Sequence, residues 1–448
     1  MPPRVVLAAP GSGCGKTTAS TGLVAALRRA GHRVAPFKVG PDYIDPGYHA
    51  VAAGRPGRNL DPVLVGEHRI APLLAHGAQD ADIAVIEGVM GLFDGRSGTR
   101  SFGSTAHVAK LLDAPVVLVV DARGQGRSLA ALLHGFRGFD AEVRLAGVLL
   151  NRVGSAHHEQ VLREACDEVG LDVVGCLPRR EELDVPSRHL GLVTAAEHGT
   201  AAVAAVAAMG DLVAESVDLA AVVAIARSAP GRETEPWMST MDTPVDGRPV
   251  VAVAGGRAFT FGYAEHVELL RAAGAEVAVF DPLRDEHLPE GTAGLLLPGG
   301  FPEQHADELS ANALLRKEVA DLVEAGKPVH AECGGLLYLA RGLDGRPMCG
   351  VIDAEAEMTE RLTLGYRDAV AATDSPLGGT GERRVGHEFH RTRVTPGSGE
   401  SPAWFWRDRQ GRPVREGFVF RGVHASYLHT HPAAAPDSVL RFVTRCAM

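Results

Sequence analysis

The segment Gly11-Ser12-Gly13-Cys14-Gly15-Lys16-Thr17-Thr18 constrains the fold more than any other part of the chain. It follows a short apolar run, Val5-Val6-Leu7-Ala8, and precedes residues 19–30, whose alanine-rich spacing predicts a helix. Glycines let consecutive backbone N–H groups curl around an anion, and a helix start adds the positive end of its dipole. Strand, glycine turn and helix in this order read as a phosphate loop. Gly11, Ser12, Gly13, Gly15 and Thr18 would cradle phosphates of ATP, Lys16 would reach the outer ones, and the Thr17 hydroxyl would ligate Mg2+. Pro10 stands where the strict pattern has glycine, so the loop is a variant.

The same grammar recurs through the first half. Residues 34–37, 83–86, 115–120 and 145–150 read as buried strands, and 128–136 reads as a helix. Near-continuous apolar strands alternating with helices imply a parallel sheet covered on both faces. The pattern breaks after the alanine-rich stretches 201–208 and 219–228, and residues 229–248 have linker composition. Strands resume at 249–253, 275–280, 293–297 and 328–330. The expected organisation is therefore α/β in two domains: a P-loop NTPase-type sheet over 1–228, a linker over 229–248, and a second α/β domain over 249–448. A chain of 448 residues is long enough for two such cores.

Composition excludes several classes. Lys plus Arg total 45 against 55 Asp plus Glu, a net charge of -10 that argues against a nucleic-acid binder. The six cysteines show no C-x-x-C spacing, which argues against a disulfide framework or a zinc knuckle. No apolar stretch approaches a membrane span, and the N-terminus reads as a first strand, not a signal peptide. The expected location is cytoplasmic. Homodimerisation is compatible with all of this.

Two acidic stations follow the glycine loop. Phe37-Lys38-Val39-Gly40-Pro41-Asp42-Tyr43-Ile44-Asp45 ends a strand with a lysine and two carboxylates, and Glu87 ends the strand at 83–86. Ligands of open parallel sheets sit beyond the carboxyl ends of the strands. Lys38 is read with the nucleotide, and Thr17, Asp45 and Glu87 as the oxygen set for Mg2+. Asn151, at another strand end, could read the adenine edge or stabilise its own loop.

In the second half, Val329-His330-Ala331-Glu332-Cys333-Gly334-Gly335-Leu336 reads as strand, sharp turn and helix with a thiol at the apex. That geometry exposes a nucleophile, and a helix start is expected to lower its pKa. The backbone N–H groups of Gly334 and of Gly300, in Leu297-Pro298-Gly299-Gly300-Phe301, would form an oxyanion hole. Cys333 needs a base, and His429 and His431 are the candidates.

With both motifs in hand, the sequence resembles the cobyrinic acid / hydrogenobyrinic acid a,c-diamide synthases of cobalamin biosynthesis along nearly its whole length. Matching segments include 10–18, 37–46, 87–95, 150–155, 186–192, 297–303, 331–336, 364–367 and 386–390. The phosphate loop lacks the early lysine usual in partition-type ATPases, having Pro10-Gly11 there, and so resembles the dethiobiotin-synthetase branch.

The resemblance implies a flavodoxin-like class I glutamine amidotransferase domain, with Cys333 as nucleophile and His429 as its base. It implies ATP-dependent amidation of the a and c acetates of a corrin macrocycle, through an acyl phosphate, with ammonia from L-glutamine. Amidation of another tetrapyrrole such as a nickel-sirohydrochlorin, or a partition-type ATPase with an inactive glutaminase-like tail, are the alternatives. Class I glutaminases commonly carry glutamate two positions after the histidine, where this chain has His431, so a full triad is not evident. His387, Glu388 and His390 are expected near the domain junction or as polar loop residues. Where the family resembles Ala-Arg-Asp-x-Ala-Phe, this chain reads Ala254-Gly255-Gly256-Arg257-Ala258-Phe259 and lacks the acid.

Overall fold

Runs of β-branched residues become the buried strands of the first half. They are Arg4–Ala8 (β1), Val34–Val39 (β2), Arg58–Leu60 (β3), Ile83–Glu87 (β4), Val116–Asp121 (β5), Leu145–Val153 (β6) and Val173–Pro178 (β7). The computed structural model describes residues 1–179, 187–188, 191–238 and 243–448, so Pro186, His189 and Leu190 of the 186–192 motif lie outside the described residues. The seven strands are parallel throughout, in the order β3-β2-β4-β1-β5-β6-β7. Every residue of β1, β2 and β4 is buried, as strands covered by helices require. This order puts the carboxyl ends of β1, β4 and β2 side by side, and that adjacency gathers the phosphate loop and both acidic stations.

The helix after β1, Lys16–Arg29 (α1), packs against the helix Thr200–Ser216. The approach is close enough that a Cβ at Gly22 would lie 2.5 Å from the Met209 carbonyl oxygen, so only glycine fits there. The helix at 200–216 runs well past the alanine-rich stretch that predicts it, because Met209, Leu212 and Val213 continue its buried face.

The chain divides into two units, Met1–Met238 and Ser239–Met448. Residues 230–237, of linker composition, are tied to the first unit. Arg4 is buried and donates from Nη2 to the Pro230 carbonyl at 3.0 Å, and the Trp237 N–H donates to Pro72 at 2.9 Å. On the other side of the boundary, the Val245 N–H donates to the Ala273 carbonyl at 2.8 Å within the second unit.

The second unit contains a six-stranded sheet in the order Glu276–Phe280, Val250–Ala254, Thr292–Leu297, Val329–Glu332, Val423–Ser426, Phe418–Phe420. Its first five strands are parallel and the last is antiparallel. A second sheet was not anticipated. Its centre is the antiparallel pair Ile352–Ala371 and Arg383–Thr395, with His429–Thr430 added at one edge. The 352–371 strand alternates buried and exposed residues at its start, a pattern of period two that fits one covered face. Among the described residues, no helix is long and apolar enough to cross a membrane.

Candidate active site

In the first unit, the oxygens read as a cation set converge. Thr17 Oγ1 lies 2.9 Å from Glu87 Oε1 and 3.2 Å from Asp45 Oδ2. A hydroxyl and two carboxylates are hard donors of the kind Mg2+ prefers, so the residues fit that ion. Lys38 stands among them, its Nζ 2.7 Å from Asp45 Oδ2 and 2.8 Å from Glu87 Oε1. Behind Glu87, the Ser20 hydroxyl donates to Oε2 at 2.5 Å and His49 Nε2 lies 2.7 Å from the same oxygen. The helix Asp45–Ala53 (α2) supplies both Asp45 and His49.

Charge balance follows from burial. Burial opposes a charge on Lys38, but Asp45 and Glu87 outweigh it and raise its pKa. Burial likewise opposes ionisation of Glu87, yet Lys38 and His49 hold that carboxyl well below its ordinary range. Asp45 goes the other way: burial and the neighbouring Asp42 lift it to about 7, against the pull of Lys38.

Lys16 folds across the loop it belongs to. Its Nζ donates to the carbonyls of Gly11 at 3.0 Å and Met90 at 2.6 Å, and burial together with Lys38 lowers its pKa. Asn151 braces the loop: its Nδ2 donates to the Cys14 carbonyl at 2.9 Å. A Cβ at Gly15, where φ is +88°, would come 2.1 Å from that nitrogen. Of the two roles open to Asn151, loop support is the one visible in these contacts.

In the second unit the strand Val329–Glu332 ends in Cys333, which adopts φ 46° and ψ -96° and caps the short helix Gly334–Leu339. A non-glycine residue at positive φ between strand and helix is the geometry of a nucleophile elbow. The Cys333 N–H donates to the Ser426 carbonyl at 2.7 Å, locking the elbow to the neighbouring strand. The two predicted oxyanion glycines meet, since a Cβ on Gly334 would lie 2.9 Å from the Gly300 nitrogen. A Cβ on Gly299 would lie 2.4 Å from His429 Cε1 and 3.2 Å from its Nε2. Thiol elbow, double-glycine turn and imidazole thus share one corner, the thiol from the parallel sheet and the histidine from the edge of the antiparallel one.

One expectation is reversed. The helix start does not lower the Cys333 pKa. Burial raises it well above the ordinary value, with Glu303 and Glu332 adding to the effect and the Gly334 N–H opposing it weakly. The resting thiol therefore stays protonated and depends on a base.

His431, the other candidate base, lies against Tyr263 with ring centroids 4.1 Å apart, and its Nδ1 accepts from the Ala433 N–H. His387, Glu388 and His390 are not loop residues. They lie buried on the strand Arg383–Thr395, where His387 pairs in register with His429. Arg367 Nε lies 2.6 Å from Glu388 Oε2, and His390 stacks on Tyr427 at 3.8 Å. In the departing loop, a Cβ at Gly256 would meet the Asp281 carboxyl at 2.2 Å, so Asp281 already fills the space of a side chain there.

The residue that sequence reasoning missed is Glu332. Its signal was a carboxylate closing a short buried strand, Val329–Glu332, immediately before the thiol. Its side chain is almost fully buried, with Oε2 3.6 Å from His429 Nδ1 and Oε1 3.3 Å from His330 Nε2.

A phosphate loop on a parallel sheet and a thiol elbow with a nearby histidine define a glutamine-dependent, ATP-using ligase. Residues 5–193 match the CobQ/CobB/MinD/ParA nucleotide binding domain, and residues 250–436 the CobB/CobQ-like glutamine amidotransferase domain. The chain is 63% identical to the hydrogenobyrinate a,c-diamide synthase of Mycobacterium tuberculosis H37Rv, over 99% of this chain and 98% of that one. Identity to the protein of the same name from Streptomyces coelicolor is 58%, over 99% and 97%. The cobyrinate a,c-diamide synthase of Synechococcus is 39% identical over 99% and 98%. The chain belongs to the hydrogenobyrinate and cobyrinate a,c-diamide synthase family.

Proposed function

We propose that this enzyme amidates the a and c acetate carboxylates of hydrogenobyrinate or cobyrinate, using glutamine as nitrogen source and MgATP as activator. The observation that carries the reading is the corner formed by Cys333, Gly299-Gly300 and His429 in a chain that also bears the Lys16–Thr17 loop. The metal-free substrate is favoured over the cobalt-containing one by the higher identity to the hydrogenobyrinate enzymes.

A carboxylate is a poor electrophile, and phosphorylation gives it a leaving group. The acetate oxygen attacks the γ-phosphorus, ADP departs, and an acyl phosphate remains. Lys16 would hold the outer phosphates, exchanging its carbonyl partners for phosphate oxygens. Thr17, Asp45 and Glu87 would hold Mg2+, which when bound neutralises charge on the transferring phosphoryl group.

In the second unit, His429 takes the Cys333 thiol proton as sulfur attacks the glutamine amide carbon. Gly300 and Gly334 N–H groups stabilise the resulting oxyanion. The proton passes to departing ammonia, leaving a thioester that water hydrolyses to glutamate. Ammonia then displaces phosphate from the acyl phosphate to give the amide.

The test is mass spectrometry of products from metal-free and cobalt-containing macrocycles with glutamine and MgATP. Two carboxyl-to-carboxamide exchanges are expected on at least one macrocycle. With Cys333→Ala, glutamine-driven amidation should stop while ammonium salts still support it. Amidation of neither macrocycle with either nitrogen source would overturn the proposal.

A further inference from the structure

We propose that Glu332, the residue immediately before the nucleophile, is the acid that orients His429, in place of the missing acid two positions after that histidine. The inference rests on the assignment of Cys333 and His429 given above.

His429 presents its two ring nitrogens to different neighbours. The edge with Cε1 and Nε2 runs along Gly299, in the turn that forms the oxyanion site. Nδ1 faces Glu332 Oε2 at 3.6 Å. A carboxylate at Nδ1 fixes the tautomer with Nε2 unprotonated, and stabilises the imidazolium that forms when the thiol gives up its proton. The separation exceeds a hydrogen bond by a few tenths of an ångström, and such contacts tighten when substrate arrives.

Glu332 is itself held in place. Its Oε1 accepts from both the N–H and the hydroxyl of Thr430 at 3.1 Å, which ties the acid to the residue that follows His429. His330 Nε2 approaches the same oxygen at 3.3 Å. Burial opposes ionisation of Glu332, but the neighbouring imidazoles of His330 and His429 more than offset it and hold the carboxyl well below its usual range.

Two other buried acids of this unit are committed elsewhere. Glu388 pairs with Arg367. Glu416 accepts from the Ser426 hydroxyl and the Tyr427 N–H, and burial lifts its pKa to about 8. His431, at the position where an acid is expected, points to Tyr263.

Glu332 touches neither substrate nor sulfur in this scheme, so it is a positioning residue. The test measures glutamine hydrolysis by full-length Glu332→Gln, Glu332→Asp and Thr430→Val. Turnover is counted per thiol titrated with 6-diazo-5-oxo-L-norleucine, so that a destabilised variant still reports on its folded fraction. Glu332→Gln should lower kcat roughly 10- to 1,000-fold with KM within about twofold, because only the proton-transfer geometry is damaged. Glu332→Asp should recover part of the loss, and Thr430→Val should lower kcat a few-fold.

Wild-type kcat per titrated thiol in Glu332→Gln, or a loss confined to KM, would overturn the inference. If Glu332→Gln yields no titratable protein, an unchanged kcat in Thr430→Val would do the same. Cys333→Ala separates the two levels of the argument: residual glutaminase activity there overturns the nucleophile assignment itself, whatever Glu332 does.

Discussion

Lys38 Nζ and Glu87 Oε1 lie 2.8 Å apart, with side-chain exposures of 4% and 1%, so a buried ammonium stands among the oxygens that suit a divalent cation. Removing it leaves Asp45 and Glu87 without their cation. Lys38→Met should cost about 3–5 kcal/mol of stability, measured by urea unfolding without nucleotide. Saturating MgATP should restore part of the loss, because the divalent cation would supply the positive charge that Asp45 and Glu87 lack in the variant and so stabilise it more than the wild type. An equal deficit with and without MgATP would contradict this account of the oxygen set.

Gly334 and Gly300 approach so closely that a methyl group on the former would press on the N–H of the latter. Gly334→Ala should therefore reduce glutamine hydrolysis about 100-fold, the cost of one oxyanion donor. Amidation driven by ammonium salts should be untouched. Parallel assays with the two nitrogen sources check it.

At Gly256 the absence of a side chain is required by the fold. With φ at +78° and Asp281 occupying the space, Gly256→Ala should destabilise the protein by about 1–3 kcal/mol. Adding Asp281→Ala should recover only the steric share, since the backbone strain remains. Thermal unfolding of both variants measures the two contributions.

Glu416 gives a pH signature. Its folded pKa is raised to about 8 from 4.5, so its contribution to stability is fully present below pH 4.5 and is lost as pH rises through about 8. Glu416→Gln keeps a neutral group at that place. The variant should gain on the wild type as pH is raised from 5 to 9, and a difference in melting temperature independent of pH would refute the assignment.

The sequence made the phosphate loop and the thiol elbow legible because each is local: glycines, a nucleophile and a strand lie within about ten residues, and backbone geometry follows directly. Continuous apolar runs likewise marked the parallel strands, such as Val116–Asp121. The antiparallel sheet was harder. The strand Ile352–Ala371 carries charged residues on its open face, and its partner begins at Arg383, so pairing depends on contacts that no local window contains. The direction of the Cys333 pKa failed for a related reason. A helix start can be read from glycines, but burial beside Glu303 and Glu332 comes from the assembled unit.

Cys333 also shows what selection must resist. Its backbone angles suit glycine better than any residue with a side chain, at a cost of order 1–3 kcal/mol for holding a cysteine there. A glycine at this position would make a sturdier but inert protein, in line with the general trade between robustness and activity. Drift toward firmness alone would remove the sulfur, and with it the group that lets this fold react.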